Sequence, residues 1–435
     1  MTTFLRTAAA VGFCAALATA TADAQSVKIY TSDDALLALK TMSFAGGKTV
    51  AFSVGIGSGA YRNPKGPANM FWTVSDRGPN FPCGAAKKVL GIDGKTLCGK
   101  IKKARIYPVP DYTPSIYGVQ LNGDGTFSIK DMISLKDRDG NPVDGMLNPL
   151  TVATTENPID AMGRPLKQNP NAVDAEGLVL LSDGTWWIGE ENGPSLMHVA
   201  ANGRIQTRLV PEGTDKDFDK ANYKVVGALP AIFAKRQANR GIESVAISPD
   251  ETFLYTIMQN PLANPNAVTY KKAKNSRILK LDRATMKPVA EYVYQLDDPQ
   301  SFRNDPSKKQ NAPRISEMLA LGTDRLLVLE RTDKTTKLHE IALAGATDIL
   351  GSKWDSPATN KSLEAMNDLS GSGVTPVKKV LRFDSADFKD IPTKLEGIAI
   401  LGNGDVALIN DNDFGITGEK TRVVVLSGSG IKADY

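Results

Sequence analysis

Histidine and cysteine are scarce in this chain: 435 residues hold two of the first and three of the second. His198 and His339 both fall in the middle of strand-like segments of outer hairpins, where a histidine packs or faces solvent more often than it reacts. A Ser-His-Asp machine is therefore not expected. No Gly-x-Ser-x-Gly elbow occurs either, and Gly57-Ser58-Gly59 is a turn sequence without that spacing. The one apolar stretch near the N-terminus, Ala8 to Leu17, is too short to span a membrane. Charge of one sign is not in excess: the formal net charge is +4, far from the concentrated basic face that nucleic-acid binding needs.

The segment Met1–Ala24 reads as a secretory signal peptide rather than as fold. It carries Arg6, the apolar stretch, and the small-residue pattern Ala22-Asp23-Ala24, with cleavage before Gln25. Cys14 follows the bulky Phe13, which argues against a lipid-modified cysteine. A soluble exported protein, periplasmic or secreted, is expected. Its removal takes away Arg6 and Asp23, so the net charge is unchanged. Cys83 and Cys98 remain. In an oxidising compartment they most simply form one disulfide, closing a loop of about fifteen residues and contributing about 3 kcal/mol. The alternative, a metal–thiolate pair, lacks nearby partners.

What the chain does have is ordinary globular material, 41% hydrophobic and 23% charged, and a repeated phrase. A Glu opens a short apolar strand, a tight turn follows, and a second strand ends in acids or amides. It reads Glu176 to Leu181, turn Ser182-Asp183-Gly184, then Trp186 to Glu191. It returns from Glu243 to Asn260, from Glu317 to Glu330-Arg331, and from Glu396 through Gly402-Asn403-Gly404 to Asn410-Asp411-Asn412-Asp413. A hairpin brings its first and last residues to the same end. Radially arranged hairpins would gather these side chains at one mouth.

Each phrase is followed by further strands, giving units of about four strands, the size of a propeller blade. A divergent first unit starts near Val50 to Ser58 and ends at Phe71 to Pro79. The last unit has only Arg422 to Leu426 as a clear outer strand, and Val27 to Tyr30 offers the missing one. Joining the termini this way would close the ring and leave no free edge. The fold expected is all-β, a single propeller of five or six four-stranded blades over residues 25–435. A sixth blade has room between Lys136 and Ala172. Trp186 and Trp187 face opposite sides of one strand, with core packing the default for both and a place in the pocket open to one.

The clustered acids are Asp76, Glu176, Glu190, Glu191, Glu243, Glu317, Glu330, Glu396, Asp411 and Asp413. Gathered like charges repel unless protonated, paired or metal-bound. An all-oxygen ligand set favours a hard cation, and calcium tolerates irregular geometry; the competing reading is local pairing with arginines. Arg77, Arg240, Arg314, Arg331 and Lys394 interleave with the acids, and guanidinium forks suit phosphate or carboxylate. The expected roles are calcium ligation by Glu176, Glu191, Glu317, Glu330, Glu396 and Asp411, and substrate binding by Asp76, Arg77, Arg240, Arg331 and Lys394. Glu190 or Glu243 would serve as base.

The phrases Ser75-Asp76-Arg77-Gly78-Pro79, Asp174-Ala175-Glu176-Gly177, Glu190-Glu191, Asn239-Arg240-Gly241-Ile242-Glu243 and Lys394-Leu395-Glu396-Gly397 resemble the phytase-like (esterase-like phytase) family of exported bacterial proteins. The resemblance runs from about Val50 to Leu426. Ser244 departs from the Gly that follows Glu in two other copies, and Met318 follows Glu317. The resemblance implies a β-propeller, and its likeness to calcium-dependent propeller phytases is distant. The acid-lined mouth with its interleaved cations leads to the expected function, a metal-dependent hydrolase of a phosphoester or related anionic ester. The alternative is a non-catalytic, calcium-stabilised binding propeller. A small anionic substrate and a monomer are expected.

Overall fold

The computed structural model describes residues 24–151 and 155–434. The leader expected over Met1–Ala24 lies, but for its last residue, outside them. The chain is mostly β. Five sheets are antiparallel meanders in which most strands pair with their neighbour in sequence, as short strands joined by Gly, Asn and Asp turns dictate. The first sheet holds Gly59–Tyr61, Met70–Val74, Ser115–Leu121 and Phe127–Ser134. The second holds Ala175–Leu180, Trp186–Glu190, Ser195–Val199 and Ile205–Pro211, with Lys224–Leu229 added parallel as a fifth strand. The third is Ile242–Ile247, Phe253–Met258, Asn275–Asp282 and Lys287–Gln295; the fourth is Arg314–Gly322, Arg325–Arg331, Thr336–Ala342 and Lys378–Asp384.

The fifth sheet joins the two ends of the chain. Leu395–Ile400, Val406–Asn410 and Arg422–Ser427 are completed by Ser26–Thr31, which pairs antiparallel to the last of them. The first strands of the sheets touch in cyclic order, first to second and onward, with the fifth returning to the first. Five apolar cores fill the gaps between neighbouring sheets, because strand alternation sends successive residues to opposite faces. Leu178 enters the core shared with Val74 and Ile116, and Val179 enters the one shared with Val245 and Leu254. Trp186 and Trp187 part in the same way; both are buried, Trp186 edge-on to Trp72 at 5.1 Å and Trp187 stacked on His198 at 5.0 Å. The arrangement is propeller-like.

Near the axis the strands come too close for side chains. A Cβ on Gly177 would sit 2.6 Å from Ser244 Cα, and one on Gly397 would sit 2.9 Å from the carbonyl carbon of Gly59. That approach explains the Glu-Gly phrase: Glu reaches the mouth and Gly lets the next strand pass.

Two expectations need correction. Thr49–Ser53 does not open the first sheet; it pairs with Ala38–Ser43 in a separate hairpin. The stretch from Lys136 to Ala172 adds no further meander among the described residues, giving only Asn157–Ile159 to a small sheet with Phe81–Pro82 and Ala104–Ile106. That small sheet and the helices Ala86–Leu90 and Gly94–Cys98 form an insertion stapled by the Cys83–Cys98 disulfide. Arg105 and Asn80 of the insertion reach the mouth.

Candidate functional site

The mouth is a cavity of about 160 Å³ walled mostly by charged side chains. Register explains which residues reach it. In the second to fifth sheets the first strand pairs regularly up to Ala175, Ile242, Ile315 and Leu395, and then a β-bulge follows. The next residue in each is Glu176, Glu243, Ser316 and Glu396. A bulge re-aims a side chain and is common next to sites, and here it turns the three glutamates into the cavity. In the fourth sheet the position belongs to Ser316. Glu317 sits one residue further on, and its carboxylate instead accepts from the Ala60 and Met318 amides at 2.9 and 3.1 Å. The expected ligand Glu317 is thus used up in packing between strands.

The second strands follow the same rule. Their partners across the register are Glu190, Met258, Glu330 and Asn410, and the residues after them are Glu191, Gln259, Arg331 and Asp411. With a period of two only the second group faces the cavity. Glu190 is therefore not at the mouth: Arg208 Nη2 lies 2.6 Å away, with the Gly193 and Asp174 amides at 2.8 and 3.2 Å. Glu330 is likewise outside it, bonded to Tyr294, Lys379 and the Asp297 amide at 2.6 to 2.7 Å. His339 packs beside that cluster, 3.3 Å from Asp297. Neither histidine lines the mouth.

The structure does bring together Asp76, Arg77, Glu176, Glu191, Arg240, Glu243, Arg331, Lys394, Glu396, Asp411 and Asp413. It brings in Arg314 from among the interleaved cations, and adds Asp174, Asn239 and Gln259. Asp174 and Asn239 lie within phrases that carry the resemblance; Gln259 could have been found by aligning the last residues of the four hairpins. Non-glycine residues hold left-handed backbone here, with φ of 54° at Asn239, 53° at Lys394 and 48° at Asp413. Such strain concentrates at functional sites.

Charge is unevenly distributed around the rim. The first three sheets supply Asp76, Asp174, Glu176, Glu191 and Glu243, against Arg77 and Arg240. Arg77 lies 3.3 Å from both Asp174 and Glu156, and Arg240 lies 3.6 Å from Glu191. Glu191 Oε1 and Glu243 Oε2 have no hydrogen-bond partner, though these residues are 3% and 2% exposed. The opposite wall carries cations and acids in pairs. Ser316 accepts from Arg331 Nε at 2.9 Å; Arg331 meets Glu396, Arg314 meets Asp333, and Lys394 meets Asp413.

Burial governs the proton affinities. Loss of solvent, then Glu243 and Asp174, pushes Glu176 well above the usual carboxylate range; loss of solvent and Glu191 do the same to Glu243. Asp174 is pushed up to about 7 by burial, against the pull of Arg77. On the other wall, burial and the neighbouring Arg314 bring Arg331 down to about 9. An acid half short of cations faces a half in which Arg314, Arg331 and Lys394 are each paired with an acid. Every donor on the acid half is oxygen, the set a hard cation takes.

Residues 53–414 match the family model of the phytase-like proteins, described by esterase-like activity of phytase. The chain belongs to the phytase-like family. An uncharacterized secreted protein of Arthroderma benhamiae is 31% identical over 179 residues, a match that covers 37% of this chain and 34% of that one. The chain thus spans about a third of the length of that relative. The relative is fungal, so the bacterial origin in the resemblance finds no support there. Among solved structures, the calcium-binding protein regucalcin of Agrobacterium tumefaciens overlaps at a TM-score of 0.34 and 9% identity, over 88% of this chain and 95% of the other. The β-propeller domain of Cps50 (Swd1) from Myceliophteria thermophila overlaps at 0.32 and 10% identity, over 90% and 98%. Overlaps this loose carry no argument. No helix of the described residues is long and apolar enough to cross a membrane.

Proposed function

We propose that this phytase-like chain is an exported, monomeric five-bladed propeller that hydrolyses a phosphoester or a related anionic ester with the help of a divalent cation, calcium by preference. The blade count rests on five meander sheets whose first strands touch in cyclic order. Export rests on the leader-like Met1–Ala24 and on the secreted fungal relative. The observation that carries the chemistry is Glu243 Oε2, a buried oxygen with no hydrogen bond, beside Glu191 Oε1, which has none either and whose guanidinium partner Arg240 stands 3.6 Å off.

Glu176, Glu191 and Glu243, with Asp76 and Asp174, would hold the cation. When bound, it supplies Lewis-acid polarisation of the ester oxygens and neutralises their charge. Arg331, Arg314, Arg240 and Lys394 hold the anionic group and stabilise the charge that builds on it. Glu243 is the proposed base, taking the proton of the attacking water on the carboxylate oxygen that does not meet the cation, while the ester oxygen leaves with a proton from solvent. Arg77 orients Asp174 and Asn239 rather than binding substrate. Glu396 and Asp411, offered above as ligands, serve Arg331 and Lys394.

Phosphate release from inositol hexakisphosphate by the chain from Gln25 onward tests this. Release that needs calcium and stops with chelator is expected. Equal release with and without chelator would overturn the metal role. The second reading, a calcium-stabilised binding propeller, draws on the fact that Arg331, Arg314 and Lys394 each already have an acid partner. Calcium binding without turnover of any phosphate or carboxylate ester would favour it.

A further inference from the structure

We infer that the disulfide-stapled insertion is a docking surface for an anionic lipid membrane. The whole-chain charge of +4 hides how unevenly charge is placed. Residues 83–105 hold Lys87, Lys88, Lys95, Lys100, Lys102, Lys103 and Arg105 against one acid, Asp93. Seven positive charges less one leave +6 on this short stretch, so the rest of the chain stands at −2.

Those charges are free to meet a partner. All six lysines are exposed, and none has an ion-pair partner among the described residues. Lysines elsewhere are spent: Lys280, Lys337, Lys379 and Lys394 each pair with an acid. Asp93 is held at the second helix, where its carboxylate accepts from the Lys95 and Thr96 amides at 2.9 and 3.1 Å. Glu156 and Asp160, which flank the strand Asn157–Ile159 of the same small sheet, pair with Arg105 and Arg164.

The fold makes one surface of them. Lys87 from Ala86–Leu90, Lys95 from Gly94–Cys98 and Lys103 from the turn beyond line one groove of about 580 Å³. The Cys83–Cys98 bond ties the start of this unit to the end of its second helix, so little freedom is lost when the face meets a partner.

An apolar side chain stands beside the lysines. Met162, 66% exposed, is the most exposed large apolar residue among the described residues. Its turn, 160–164, packs on the insertion so closely that a Cβ on Gly163 would lie 2.4 Å from the Leu97 carbonyl oxygen. Ammonium groups around an apolar tip suit a layer of anionic headgroups over hydrocarbon. Nucleic acid is the poorer match. No aromatic residue lies between positions 83 and 106 to stack on a base, and the insertion's exposed cations are ammoniums rather than guanidinium forks. Arg105 also lines the mouth, so docking brings the mouth beside the headgroups.

Co-sedimentation of the chain from Gln25 onward with lipid vesicles, in chelator, tests the inference. Vesicles of phosphatidylcholine alone are compared with an equal mixture of phosphatidylcholine and phosphatidylglycerol. Binding to the mixed vesicles only, weakening as salt is raised, is expected. K87E/K95E and K100E/K102E should each weaken it at least tenfold, and M162S severalfold. K271E/K272E, a reversal of exposed lysines outside the insertion, should leave it unchanged. Thermal melting checks that the variants fold. No binding to the mixed vesicles, equal binding to neutral ones, or undiminished binding by the insertion variants would overturn the docking surface. Capture of soluble polyphosphate or nucleic acid without vesicle binding would overturn lipid as the partner.

Discussion

Glu190 and Glu191 are neighbours in the chain, yet the strand aims them at two different regions of the molecule. Glu190 enters a closed pocket where Arg208 and the Gly193 and Asp174 amides satisfy it. Arg208 in turn spends its other donors on Ser195, Tyr223, Asn148 and the Ala172 carbonyl at 2.8 to 3.1 Å. Glu191 enters the mouth, where one oxygen has no hydrogen bond and the nearest guanidinium lies 3.6 Å away. Both are equally buried. The difference is saturation: a completed network holds the fold, and an incomplete one waits for a ligand.

Breaking a completed network should cost the most. Arg208→Met leaves Glu190 buried without its cation, and denaturant unfolding should show a loss of about 3–5 kcal/mol. The same measurement on Glu243→Gln in chelator should show no loss, since the change removes one of several crowded acids. Opening the Cys83–Cys98 staple with Cys98→Ser should cost about 3 kcal/mol, read by urea unfolding. The comparison is sharper at the mouth, where Glu243→Gln should weaken calcium binding at least tenfold, about 1.4 kcal/mol, by titration calorimetry.

Acidity separates the two regions without mutation. Asp174 is held up to about 7, above its ordinary value near 3.8, so the folded state binds its proton more tightly than the unfolded state does. Its contribution to stability is present below pH 4 and is lost as pH rises through 7, unless a cation replaces the proton. Asp297 runs the other way. His339 and Lys379 hold it far below the ordinary range, so its contribution is present above pH 4 and is lost on acidification. Unfolding midpoints across pH 4–8, with chelator and with calcium, should show the mouth's trend reversing only when calcium is present. At the small end, Lys420→Ala breaks an exposed pair with Asp33 at 2.9 Å and should change the unfolding free energy by less than about 0.5 kcal/mol.

The hairpin phrase carried a good part of this into view from the sequence. It gave the mouth, most of the residues that line it, and the pairing of the two chain ends in one sheet, because Glu, turn and acid recur in order. Register was beyond it. A β-bulge shifts the frame by one residue, so Ser316 stands where Glu317 was expected, and a strand's period of two turns Glu190 and Glu330 away while Glu191 and Arg331 face in. Spacing alone could not distinguish adjacent acids. Nor could it find Asp174, which comes from the loop ahead of the strand, or the Phe81–Pro82 insertion that walls one side.

The most direct test of the contrast between full and open networks is thermal melting of the chain from Gln25 onward with calcium and with chelator. The account predicts that calcium raises the melting temperature of the unmodified chain, by about 2.7 kcal/mol of added stability at a hundredfold excess over Kd, and that Glu191→Gln abolishes much of the rise. No rise in the unmodified chain, or an equal rise in Glu191→Gln, would contradict it.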